Sequence, residues 1–228
     1  MTMQHFPMSF QQFADELATQ LLSRGERLLA ISGAQGSGKS TLARLIADAL
    51  AANGKTVAVV SLDDFYLSQC ERAELAKRID PRLAQRGVPG THQLAKALQL
   101  TRLHLAKQPI ALPRFDKALD EPAATELARH YDCLIIEGWC IGVAPVEPLA
   151  ATDAYSEFIE RSLALYQAWF ALLTPLLYLQ APDWTTVCAW RLQQEQELMA
   201  ARGRGMNEVQ LKSFMQAFRS EERRVGKE

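Results

Sequence analysis

The sequence predicts an α/β domain built on a mostly parallel sheet, and three observations carry that prediction. Four short apolar or β-branched runs, at residues 28–32, 56–61, 131–138 and 175–180, alternate with longer stretches of helical periodicity. The first run leads straight into Gly33, Ala34, Gln35, Gly36, Ser37, Gly38, Lys39, Ser40 and Thr41, a full match to G-x-x-x-x-G-K-[ST]. Good helix formers follow at residues 39–52, so the glycine-rich turn sits between a buried strand and a helix N-terminus with its partial positive charge. Glycine lets successive backbone N–H groups turn inward around a phosphate, where side chains would obstruct them. Lys39 supplies a fixed charge for the β/γ-phosphates, and the Ser40 hydroxyl a ligand for Mg²⁺. This context points to a bound nucleoside triphosphate and disfavours an ordinary glycine-rich turn.

Bulk properties narrow the class. At 228 residues the chain suits one α/β domain with a sizeable core. Lys plus Arg is 25 and Asp plus Glu is 26, so neither nucleic acid nor an anionic membrane is expected as a partner. Cys70, Cys133, Cys140 and Cys188 form no C-x-x-C pair, which favours reduced thiols over a disulfide framework or a zinc site. No basic region precedes a long apolar core at the N-terminus, and the apolar stretch 163–179 is broken by Gln167, Thr174 and Pro175. A soluble, cytoplasmic protein is expected.

In chain order, residues 9–23 read as an amphipathic helix. Ser9 and Gln12 make a capping box, Met8 and Phe13 a hydrophobic staple, and Gly25 a stop. The first strand, the phosphate loop and the helix of residues 39–52 follow, ended by Asn53 and Gly54. Residues 56–61, dense in Val, form the second strand. Asp63 and Asp64 come directly after it. Carboxylates at the carboxyl end of a parallel strand lie where open α/β sheets bind ligands, so either could accept a proton from an attacking hydroxyl or hold Mg²⁺ through water. The competing role for each is to cap the next helix.

Residues 71–80 are helical, and residues 81–92 end in the turn-rich Arg86-Gly87-Val88-Pro89-Gly90-Thr91-His92. Its cationic side chains suit an anionic substrate, although the spacing alone favours a solvated connection. Residues 93–107 return to helical periodicity, and residues 110–117 form a short, Pro-interrupted excursion from the sheet. There Arg114, Asp116 and Lys117 are candidate substrate contacts, with a plain surface loop as the alternative. The third strand, residues 131–138, ends in Glu137 and Gly138. An acid in that place faces the Ser40 hydroxyl across the metal, whereas Asp132 sits at the wrong end of the strand. Residues 154–172 read as a helix with Phe158, Leu165, Trp169 and Leu172 along an apolar side that belongs to the core. After the fourth strand, Asp183 opens a helix to about residue 201. Gly203, Arg204 and Gly205 break it, and Asn207 with Gln210 caps another, with Met206 and Leu211 as its staple. Arg191, Arg202 and Arg204 on this helix–glycine–helix suit a lid that closes over phosphates.

Several segments together resemble the D-glycerate 3-kinase-like family of P-loop small-molecule kinases, near the uridine kinase, pantothenate kinase and phosphoribulokinase group. They are residues 33–41, Ser61-Leu62-Asp63-Asp64-Phe65-Tyr66-Leu67, residues 86–92, Pro113-Arg114-Phe115-Asp116-Lys117, Glu137-Gly138-Trp139, and Trp190-Arg191-Leu192-Gln193-Gln194-Glu195 with Gly205-Met206-Asn207. They span most of the chain in the family's order, and the D-D-F-Y and R-G-x-P-G-T-H segments are more diagnostic than the phosphate loop. The resemblance implies transfer of the γ-phosphoryl group of ATP, with Mg²⁺, to a hydroxyl of a small metabolite, glycerate being the precedent. A nucleoside or pantothenate-type acceptor is the alternative. An ATPase switch without an acceptor, or an inactive fragment, would be of another class.

By the resemblance Asp63 falls on the catalytic base, and Glu137 on the magnesium-side acid with Ser40 and Asp63 beside the metal. Lys39 and either Arg191 or Arg204 attend the phosphoryl group. Asp64, Tyr66, Arg86, His92, Arg114 and Lys117 fall on the acceptor side. The chain departs from the family at Gln93, where an Asp is usual, and after Phe218, where relatives continue to a further apolar strand. The expected architecture is therefore a single P-loop kinase domain over residues 1–218, with strand order 2-3-1-4 and a lid around 183–207. Residues 219–228 would be a non-native tail, and a fifth strand would be missing by C-terminal truncation.

Overall fold

Described in a computed structural model are residues 9–146 and 153–202. The main sheet contains β1 (Leu28–Gly33), β2 (Val57–Ser61), β3 (Cys133–Gly138) and β4 (Leu176–Leu179). They lie in the order β2-β3-β1-β4 with every neighbouring pair parallel, which is the expected 2-3-1-4. Every residue of β1 and β3 is buried, and for that reason both read as unbroken apolar runs.

Successive strand residues feed opposite faces of the sheet. On one face Leu28, Ala30, Leu134 and Ile136 pack with Leu100 of α4 (Leu94–Leu105) and with Leu163 and Trp169 of α5 (Ala154–Phe170). On the other, Leu29, Ile31, Cys133 and Ile135 pack with Ala14, Ala18 and Leu21 of α1 (Phe10–Arg24). Leu42, Ile46 and Leu50 of α2 (Lys39–Ala52) complete that core. The outcome is a three-layer α/β/α domain. It also includes α3 (Gln69–Arg78) and α6 (Trp184–Arg202), the latter capped by Asp183, whose Oδ1 accepts from Thr186 N at 2.8 Å. No helix among the described residues is long and apolar enough to cross a membrane.

Local signals act as their chemistry requires. Ser9 Oγ accepts from Gln12 N at 3.2 Å, Gln12 Oε1 accepts from Ser9 N at 2.9 Å, and Gly25 closes α1 in the left-handed region. Met8 lies outside the described residues, as do Gly203, Arg204 and everything after them, including residues 219–228.

The apolar side of α5 differs from expectation. Its buried positions are Ile159, Leu163, Tyr166 and Trp169, whereas Leu165 is 68 % exposed. A helix rich in apolar residues on several sides leaves its register open, and tertiary packing chose a stripe that excludes Leu165.

Two further segments frame the site. Phe115–Asp116 pairs antiparallel with Glu121–Pro122 in a small ribbon. Asp120 in its turn forms ion pairs with Arg72 and Arg86. The turn-rich stretch before α4 is not a solvated connection, because Val88, Thr91 and His92 are buried. Leu67 N donates to Thr91 O at 2.9 Å and Gln93 N to Phe65 O at 2.7 Å, fastening it to the segment after β2.

Candidate active site

The phosphate loop joins the carboxyl end of β1 to α2. The helix N-cap is Gly38, which offers no side chain to the first backbone N–H groups, so these stay available to an anion at the positive end of the helix. Lys39 is buried, and its Nζ donates to Gly33 O at 2.9 Å and Ala34 O at 2.7 Å, bending the side chain back over the loop. Among the described residues, the buried hydroxyls of Ser32 and Ser37 have no partner.

α6 lies across this loop. Ala34 and Val187 share a small cluster with Trp184, Cys188 and Leu192. Trp190, Gln193 and Gln194 face Gly36, Gly38, Lys39, Ser40 and Thr41 across a cavity of about 290 Å³. Positions 190, 193 and 194 share a helix face by their i, i+3, i+4 spacing. Arg191 lies beside that face, paired with Glu195 and donating to Gln194 Oε1 at 2.9 Å. Gly36 sits at φ +78°, and a Cβ there would meet Trp190 Cβ at 2.8 Å. Gly36→Ala therefore incurs about 1–3 kcal/mol of backbone strain and pushes the loop from α6. Triphosphate affinity is expected to fall about 5- to 100-fold. Calorimetric titration checks this, and an unchanged Kd would contradict the packing of Trp190 on the loop.

The acids lie at the carboxyl ends of β2 and β3. Glu137 is in register with Ile31 of β1 and Ser61 of β2, and its Oε1 accepts from Ser40 Oγ at 2.8 Å. Beyond β2 a tight turn, Leu62–Phe65, separates the two aspartates. Asp64 closes the turn as a cap: its Oδ2 accepts from Ser61 N at 2.9 Å and lies 3.6 Å from Arg114 Nη1. Burial pushes its carboxyl above the ordinary range.

Asp63 faces the other way. Its Oδ1 accepts from Tyr66 Oη at 2.9 Å and its Oδ2 from Lys117 Nζ at 2.7 Å. Burial alone would raise its pKa, but the Lys117 charge and the hydrogen bonds from Lys117 and Tyr66 outweigh it and hold the carboxyl below 3.8. Tyr66, pushed well up by burial and by the Asp63 charge, stays a donor.

Around Asp63 the ring of His92 stacks on Tyr66 with centroids 4.6 Å apart, and Phe115 meets Tyr66 edge-on at 5.4 Å. The Arg86 guanidinium lies 5.6 Å over the Phe115 ring. Asp63, Tyr66, Arg86, His92 and Lys117 are thus gathered into one cluster. Arg114 is turned to Glu126 at 3.0 Å, Val59 O at 3.4 Å and Asp64, so that pair ties the ribbon segment to β2. Arg191 is engaged within α6, and Arg204 lies outside the described residues.

Trp190, Gln193, Gln194 and Phe115 lie in segments that carry the resemblance but receive no role from the sequence, and Tyr166 lies outside those segments. The helical spacing of the first three was available as a signal. Tyr166, two helical turns from Ile159 on the buried face, was marked by a hydroxyl that burial obliges to find partners.

No family model matches the chain. The uncharacterized kinase mug58 of Schizosaccharomyces pombe is 32% identical over 217 residues, covering 84% of this chain and 78% of that protein. The chloroplastic D-glycerate 3-kinase of Arabidopsis thaliana is 26% identical over 208 residues, 84% of this chain and 46% of the relative. Among solved structures, the D-glycerate 3-kinase from Cryptococcus neoformans superimposes with a TM-score of 0.79 at 24% identity. That match covers 94% of this chain and 87% of the other and is a likeness of fold.

Proposed function

The chain belongs to the D-glycerate 3-kinase-like family of P-loop kinases, and from that premise we propose that it phosphorylates a small hydroxy acid of glycerate type at the expense of ATP. The observation that carries this reading is the Asp63 cluster: an ionised carboxylate among cationic and hydrogen-bonding groups, at the end of the strand adjoining the one that bears Glu137.

The loop amides and the N-terminus of α2 hold the phosphates of ATP. Lys39 exchanges the carbonyls of Gly33 and Ala34 for β/γ-oxygens. Ser40 and Glu137 present adjacent hard oxygens, which fit Mg²⁺. When bound, the ion supplies neutralisation of the charge developing on the phosphate oxygens. Asp63 accepts the proton of the attacking hydroxyl as its oxygen bonds to the γ-phosphorus. The bond from that phosphorus to the β-bridging oxygen breaks, and ADP leaves. Lys117 and Arg86 complement the carboxylate of the acceptor, and α6 with Trp190 screens the phosphates from water.

ADP release measured with ATP, Mg²⁺ and a panel of alcohols tests the proposal. D-glycerate and its short hydroxy-acid analogues are expected to raise the rate above the acceptor-free rate. Stimulation by a nucleoside or pantothenate alone would replace the acceptor class, and equal rates with and without any alcohol would favour an ATPase.

A further inference from the structure

We propose that Tyr166 is a positioning residue: it fixes His92 in the tautomer with its hydrogen on Nε2, and that N–H holds an oxygen of the acceptor beside Asp63. The inference rests on the kinase reading and adds to it the atom that contacts the acceptor and the residue that presets it.

The Tyr166 hydroxyl is buried in the core. Gly90 N donates to its oxygen at 3.0 Å, which leaves the hydroxyl hydrogen in need of an acceptor. A phenolic oxygen has two lone pairs and one hydrogen. Among the described residues the acceptor in reach of that hydrogen is His92 Nδ1, 2.9 Å away. Nδ1 is therefore the acceptor, and in a neutral ring the hydrogen must sit on Nε2.

Gly90 is what allows this approach. Its φ of +93° suits glycine, and a Cβ would lie 2.4 Å from Phe158 and Ser162 of α5, the helix that carries Tyr166.

The Nε2 atom is buried and has no hydrogen-bond partner among the described residues. Leaving such a donor unmade is costly, and an orphan of this kind calls for an explanation. Burial pushes the imidazole down to about 4, so the ring is neutral at pH 7 and its orphan is a donor that recognises an oxygen rather than a charge that attracts a counter-ion. The ring also has an acceptor-side address. It stacks on Tyr66, whose hydroxyl donates to Asp63, and its Nδ1 edge is taken by Tyr166. A hydroxyl or carboxylate oxygen of the acceptor bound at Asp63 would fill the vacant bond.

The tautomer is read from long-range ¹H–¹⁵N spectra of the histidine rings. His92 is one of four histidines and is identified by its disappearance in His92→Gln. Expected are an Nε2–H ring in the intact protein, a shift of that resonance when D-glycerate is added with a non-hydrolysable ATP analogue, and a tautomer mixture in Tyr166→Phe. In kinetics, His92→Leu is expected to raise the acceptor KM about 10- to 100-fold with the KM for ATP unchanged. His92→Gln, which keeps a donor near Nε2, is expected to restore most of it. An Nδ1–H ring, or one unmoved by saturating D-glycerate, overturns the proposal, as does an unchanged acceptor KM in His92→Leu. The tautomer needs no turnover to be seen, so absence of kinase activity would sink the functional reading separately.

Discussion

Asp63→Asn lowers kcat by about 10²- to 10⁴-fold, the range for losing a positioned general base, and leaves ATP affinity unchanged. The substitution keeps the volume and the oxygen that accepts from Tyr66, so the turn of Leu62–Phe65 survives. What it removes is the charge that Lys117 pairs with and the lone pair that takes the hydroxyl proton. Neither touches the phosphate loop, so nucleotide titration should match the unsubstituted protein.

The pH profile adds a signed check. A carboxyl held below its ordinary value by Lys117 and Tyr66 against the cost of burial is ionised through neutrality, so the base is present there. In kcat/KM, which reports the free enzyme and free substrates, Asp63 is therefore expected to contribute no acid limb near neutrality. Asp64→Asn serves as the comparator: it weakens a cap and leaves the chemistry in place. If Asp64→Asn is dead while Asp63→Asn turns over normally, the two roles are reversed.

Lys39→Ala lowers kcat/KM by about 10³-fold or more and weakens ATP binding. Two effects combine. The charge over the β/γ-oxygens is lost, and so are the two bonds by which Nζ braces the carbonyls of Gly33 and Ala34. The core under α2 uses Leu42, Ala43, Ile46 and Leu50, none of which the substitution disturbs, so a cooperative melt should persist. Loss of the melt would assign the defect to folding instead of phosphate binding.

Both substitutions act on features of unequal legibility. The phosphate loop is local: strand, glycines, lysine and helix follow one another, and each is forced by short-range chemistry. β3 was legible for the same reason, and Glu137 came with it as the acid ending a fully buried strand. Asp63 and Asp64 are adjacent and alike, and only a capping-box spacing from Ser61 to Asp64 separates them in the sequence.

The acceptor side is harder to read because its contacts are distant. Lys117 reaches Asp63 across 54 positions and Tyr166 reaches His92 across 74, with no local pattern to announce either. Arg114 lies against Asp64 and Glu126, pairings that no local pattern announces either. Leu165 shows a different limit: an apolar residue on a helix does not by itself name the buried face.

The central claim is transfer to a hydroxyl under the control of Asp63, and ³¹P NMR of the reaction with ATP, Mg²⁺ and D-glycerate tests it most directly. The predicted result is a phosphate-ester resonance growing in step with ADP, and reduced to near background in Asp63→Asn. Inorganic phosphate accumulating at one rate with or without glycerate, and unaffected by Asp63→Asn, would contradict it.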